Sequence, residues 1–110
     1  MVGKSWKNLI EGQAHGSGAH KFRTYREAIR MAKSGQYDRI YLNRSLRTGT
    51  SGGVDSLMRP DVLGVLKSGR GYMVEVLSPS QTQSMLWDKI NFMKQLLSER
   101  AGAGYVVAPH

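Results

Sequence analysis

Apolar positions recur along this chain with two different periods, and the alternation between them outlines the fold. From Thr24 to Ser34 the apolar side chains Tyr25, Ala28, Ile29 and Ala32 fall three and four apart, the spacing of a helix with one buried stripe. Thr24 followed by Glu27 has the form of a capping box, and Gly35 supplies a stop. From Gln36 to Leu42 the period shortens to two, with Ile40 and Leu42 on one side of a strand and Tyr41 on the other. Residues 43 to 58 lose periodicity and fill with Gly, Ser and Thr, a loop suited to contacting substrate.

Two β-rich runs follow, Val62 to Leu66 and Tyr72 to Leu77, separated by turn-forming residues from Lys67 to Gly71. They read as a β-hairpin. A second helix is expected from Ser80, with Gln83 as its box partner and Leu86, Ile90, Met93 and Leu97 as its buried stripe, ending near Arg100. Gly104 to Ala108 forms a last short strand. The order is αβββαβ, an α/β domain with a mixed central sheet flanked by two helices. Residues 1–22 read as a flexible lead-in segment and residues 23–110 as one domain.

The hairpin carries the chemistry. With a three-residue loop Ser68-Gly69-Arg70, Asp61 stands opposite Leu77 and Glu75 lies on the diagonal, on the same sheet face. Diagonal neighbours are roughly 7–8 Å apart at Cα, close enough for two carboxylates to share a cation. Glu75 is embedded in Tyr72-Met73-Val74 and Val76-Leu77, where an uncompensated carboxylate is costly. An acid in that setting calls for a cation.

Composition narrows the partners. Sixteen Lys and Arg against eight Asp and Glu give a net charge of +8 in 110 residues, spread along the chain. Such a domain meets a polyanion, and nucleic acid is favoured because no long basic amphipathic helix points to a membrane. With no cysteine there is neither disulfide nor thiolate chemistry. No apolar run approaches a membrane span, and the N-terminus lacks a signal-peptide core, so a secretion signal is expected on a longer parent chain.

Other candidates are weaker. His15 and His20 sit five apart in a Gly-rich stretch with no metal-ligand signature and read as incidental. Glu27 either caps its helix or reaches the metal as a third carboxylate. Asp55 reads as a turn residue. Trp87, off the buried stripe, either stacks on a base or covers the core edge. Arg23, Arg26, Arg30 and Lys33 flank the first helix, and Arg44, Arg47 and Arg59 charge the loop; these basic groups, with Lys67 and Lys89, are candidates for contacting nucleic acid.

Pro60-Asp61, the strand Glu75 and the helix directly after it, set in the αβββαβ order, resemble the PD-(D/E)XK restriction-endonuclease-like nucleases. More narrowly, RPDVLGV followed by VEVLSPSQT is similar to the nuclease toxin domains at the C-termini of polymorphic bacterial toxins, including contact-dependent growth inhibition systems. The resemblance implies Asp61 as central metal ligand, Glu75 as second carboxylate and the Val76 carbonyl as a backbone ligand. It implies Mg²⁺ or Mn²⁺ as the ion, which polarises a phosphoryl oxygen and generates the attacking hydroxide. It further implies a domain secreted as part of a larger toxin, acting in the cytoplasm of a target bacterium and neutralised by an immunity protein; separately, a monomer is expected. The lysine of E-x-K is absent, with Leu77 in its place. Gln81 in the S-x-S-Q run is the preferred substitute, ahead of Lys67 and Lys89.

The sequence therefore leaves three functions in order: a metal-dependent nuclease with DNA favoured over RNA, a metal-independent ribonuclease acting on tRNA through His15 or His20, and a basic binding module without catalysis.

Overall fold

The computed structural model describes residues 5–109; residues 1–4 and His110 lie outside the described residues. A five-stranded mixed sheet with strands in the order β1-β2-β3-β4-β5 carries helices on both faces. The elements are β1 (Ile10–Gly12), α1 (Gly18–Lys33), β2 (Tyr37–Leu42), α2 (Leu46–Gly49), β3 (Val62–Leu66), β4 (Gly71–Val76), α3 (Gln83–Leu97) and β5 (Ala101–Val107). The outer pairs β1/β2 and β4/β5 are parallel and the inner pairs β2/β3 and β3/β4 antiparallel. A parallel neighbour requires a crossover, and α1 and α3 supply the two crossovers.

Strand alternation divides the interior into two clusters. Ala28, Met31 and Ala32 of α1 pack on Ile40, Leu42, Val62 and Val74. On the other face Ile90, Met93 and Leu97 of α3 pack on Leu63, Met73 and Leu46. The expected α3 stripe is recovered in full: Leu86, Ile90, Met93 and Leu97 are all buried. On α1 the stripe is rotated, with Met31 taking the buried place next to Ala28 and Ala32 while Tyr25 and Ile29 are half-buried.

Three expectations are corrected. The first helix begins at Gly18, not Thr24, so Thr24 is a buried interior residue whose hydroxyl donates to the His20 carbonyl at 2.9 Å and caps nothing. The lead-in boundary near residue 22 thus falls inside α1, and Ile10–Gly12 forms an additional strand pairing with β2 instead of a flexible segment. The third helix is capped by Thr82, whose hydroxyl accepts from the Met85 N–H at 3.2 Å; Ser80 lies in the preceding turn.

The hairpin loop has three residues as expected, but they are Lys67-Ser68-Gly69. Leu66 N–H bonds the Arg70 carbonyl at 2.9 Å, and Val65 pairs with Gly71. Gly69 takes φ 90°, the left-handed residue that such a loop requires. The register is shifted by two from the expected one, which preserves the faces. Continued beyond Val62↔Val74, it sets Asp61 directly abreast of Glu75 instead of Leu77.

Candidate active site

Each hairpin carboxylate is held by the other strand's backbone. Glu75 Oε2 accepts the Asp61 N–H at 2.7 Å, and Asp61 Oδ2 accepts the Val76 N–H at 2.8 Å. This reciprocal clasp replaces ladder bonds where Pro60 cannot donate, and it fixes both carboxylates side by side. Glu75 is 1% exposed and Asp61 8%. Together they form the floor of a cavity of about 400 Å³ at the end of the sheet, whose walls include His20, Arg59, Gln81 and Lys89.

Lys89 reaches over from α3, donating to Glu75 Oε1 at 2.5 Å and to the Arg59 carbonyl at 2.9 Å. His20 comes from the first turn of α1. Its Nδ1 lies 3.0 Å from the His15 carbonyl, and its Nε2 lies 3.5 Å from Asp61 Oδ2. Burial pushes the Glu75 carboxyl up from its ordinary value, and the neighbouring Asp61 charge adds to the rise; Lys89 opposes both without overcoming them. Two acids and one lysine meet at contact distance on the cavity floor, and Arg59 on the wall balances the second carboxylate in net charge.

The adjacent carboxylates offer oxygen donors to a divalent cation. Asp61 Oδ1 takes no hydrogen bond from the described residues and is open to the cavity. A strand residue's N–H and C=O face the same side, so the Val76 carbonyl lies on the Asp61 side of β4. Among the described residues no group of three His, Asp or Glu side chains forms a metal cage. Oxygen donors of this kind would suit Mg²⁺ or Mn²⁺, ions that fill their remaining positions with water and phosphate, although Val76 itself is fully buried and is not among the residues lining the cavity.

The other candidates divide by position. Glu27 lies away from the cavity: it pairs with Arg30 at 3.0 Å and Arg23 at 3.5 Å, on the α1 face beside Tyr72 and Tyr105. A third carboxylate is therefore not brought to the pair, because α1 starts earlier than expected and presents His20 there instead. Arg23 is engaged by Glu27, and Arg26 is exposed on α1. Lys67 sits in the hairpin turn, at the opposite end of β3 and β4 from the carboxylates. Arg47 pairs loosely with Asp55 at 3.8 Å, both exposed. Trp87 is exposed on α3. Of the long loop only its two ends reach the cavity, through Asn43 and Arg59; its middle folds back, Leu46 N–H bonding the Met58 carbonyl at 2.9 Å and Leu46 entering the core.

Gln81 does line the cavity, with its Oε1 accepting from the Ser78 N–H at 3.2 Å and hydroxyl at 2.8 Å, which leaves its amide nitrogen as a donor. The cation that touches Glu75 is Lys89, which sequence spacing ranked lower. Lys89 lies one residue before the buried Ile90, and a lysine there can reach the sheet end; that position was its only signal in the sequence. Comparisons with protein-family models, with curated proteins and with solved structures find no match.

Proposed function

We propose that this chain is a metal-dependent nuclease that hydrolyses phosphodiester bonds. The observation that carries the reading is the pair Asp61 and Glu75, clasped through each other's backbone with the Lys89 ammonium on Glu75. The element order α1-β2-β3-β4-α3-β5 supports a restriction-endonuclease-like core, with β1 and α2 as additions.

Asp61, Glu75 and the Val76 carbonyl would hold Mg²⁺ or Mn²⁺, which would supply Lewis-acid polarisation of a phosphoryl oxygen and acidify a water. Lys89 takes the role of the absent E-x-K lysine: fixed by Glu75 and the Arg59 carbonyl, its Nζ neutralises charge and orients the attacking water. Arg59, at the cavity wall, binds the phosphate flank, and the free Gln81 amide donates to a phosphate oxygen. DNA is the favoured substrate. In a toxin setting, the immunity protein that blocks so basic a domain would present an acidic surface.

A second reading, a metal-independent ribonuclease, draws support from the His20 Nε2 beside Asp61, since RNA supplies its own 2′-hydroxyl nucleophile. Chelation separates the two. Purified protein incubated with plasmid DNA and total RNA is expected to cleave with Mg²⁺ and to stop in EDTA; cleavage that persists in EDTA removes the metal mechanism. Asp61→Asn, Glu75→Gln and Lys89→Met are each expected to lower the rate by at least about 100-fold while keeping the fold by circular dichroism. Full activity of Lys89→Met would remove its assigned role.

A further inference from the structure

Next to the carboxylate cavity lies a second, smaller one of about 270 Å³, which shares Asn43 and Arg59 with it and adds Gln13, Arg44 and Leu42. Its walls are built for polar recognition. Among the described residues the side chains of Gln13, Asn43 and Arg44 make no hydrogen bond, and Arg59 makes only a long one, 3.5 Å, to the Asn43 carbonyl. Asn43 is held at φ 51° at the end of β2, its N–H donating to the Asp61 carbonyl at 3.2 Å. One of the two residues that bridge the cavities is thus tied to the backbone of Asp61. Left-handed geometry at a non-glycine residue is tolerated best by Asn and recurs where position matters for function. On the other wall, Gly12 at φ 94° lacks the Cβ that would come within 2.3 Å of the Leu42 carbonyl and 3.0 Å of Arg44 Nε. That bare backbone lets the Arg44 guanidinium lie across the end of β1.

We propose that this second cavity reads the nucleobase adjoining the scissile phosphate and prefers an unpaired guanine. The inference rests on the nuclease reading and names its specificity. Its volume lies just below the roughly 300–1,000 Å³ of small-molecule sites, room for one planar base. The Arg44 guanidinium is a pure donor fork and matches the O6 and N7 acceptors of guanine, with Arg59 left on the adjoining phosphate; the carbonyl oxygens of the Gln13 and Asn43 amides match its N1–H and N2–H₂ donors. Adenine offers no second acceptor beside N7 for an arginine fork, and the pyrimidines offer no N7 at all. Because the donors at N1 and N2 belong to the Watson–Crick edge, the base must be unpaired, in a single strand or flipped out of a duplex.

The test is binding in EDTA, where the metal mechanism is silent. A short labelled pyrimidine oligonucleotide carrying one central guanine, made in deoxy and ribo forms, is compared with versions carrying adenine or only pyrimidines. Guanine is expected to bind about 10-fold tighter. Arg44→Ala and Asn43→Gly are expected to abolish that ratio, and the glycine keeps the positive φ so that loss of the amide is not confounded with misfolding. Discrimination in one sugar series alone supports the pocket and identifies its substrate. Equal binding of all versions, or a ratio unchanged in both variants, overturns it, and if Mg²⁺-dependent cleavage persists the nuclease reading stands without it. Guanine selectivity without any cleavage supports the pocket and removes the nuclease.

Discussion

At the scale of single residues, the two hairpin acids are distinguished by what surrounds them. Glu75 is buried against Asp61 and its carboxyl is pushed up from an ordinary value of 4.5. For an acid with a raised folded pKa, the protonated form is the one the fold favours. Its contribution to stability is fully present below the unfolded value and is lost as pH rises through the folded one. Metal-free protein is therefore expected to lose stability as pH rises from about 4.5 toward neutrality, and Glu75→Gln, which stays neutral, is expected to flatten that slope. Mg²⁺ favours the ionised carboxylate and is expected to raise the neutral-pH melting temperature of the native chain more than that of Glu75→Gln. Thermal melts across pH in EDTA and in Mg²⁺ measure both. A native chain whose stability climbs over that pH range would show that Lys89 outweighs burial at Glu75.

At the scale of elements, a start signal in the sequence is outvoted when docking demands a different start. Thr24-x-x-Glu27 satisfies the capping-box pattern, yet the helix continues back to Gly18: Ala19, His20 and Lys21 can all be helical, and extending the helix brings His20 against Asp61. Ser80-x-x-Gln83 misleads in the same way, because Ser78 to Gln81 close a turn of their own, the Gln81 N–H bonding the Ser78 carbonyl at 3.0 Å, and the cap passes to Thr82. What was legible is what period two fixes. The faces of Asp61 and Glu75 survive a register error of two, and only an odd error would have separated them. What is not legible is contact across elements, which is why sequence spacing favours Gln81 and Glu27 over His20 and Lys89. The cap assignment is testable: Thr82→Ala is expected to cost about 1 kcal/mol in urea unfolding, whereas Ser80→Ala stays within about 0.5 kcal/mol. The reverse order would return the helix start to Ser80.

At the scale of the whole molecule, the net +8 is not spread evenly in its effect. Arg23 and Arg30 are matched by Glu27, Arg39 by Glu11 and Arg47 by Asp55, so several cations on other faces are already answered by carboxylates. Arg44 and Arg59, beside the two cavities, have no carboxylate partner among the described residues, and Lys89 stands at the same end. On the nuclease reading proposed above, these cations flank the carboxylate pair and are the ones placed to meet the phosphates and base of a bound strand. Each phosphate neutralised releases counterions, giving a slope of log affinity against log salt of roughly −0.7 to −0.9 per contact. In EDTA, Arg59→Ala is expected to shallow that slope by about one contact, weakening binding to all sequences through its phosphate contact, whereas Arg44→Ala, which removes a base contact, is expected to lose the guanine preference with little change of slope. Lys67→Ala, in the turn at the opposite end of β3 and β4, is expected to leave the slope unchanged. Titrating a labelled oligonucleotide at several salt concentrations reads all three variants, and a Lys67 effect equal to that of Arg59 would move the nucleic-acid path away from the carboxylate cavity.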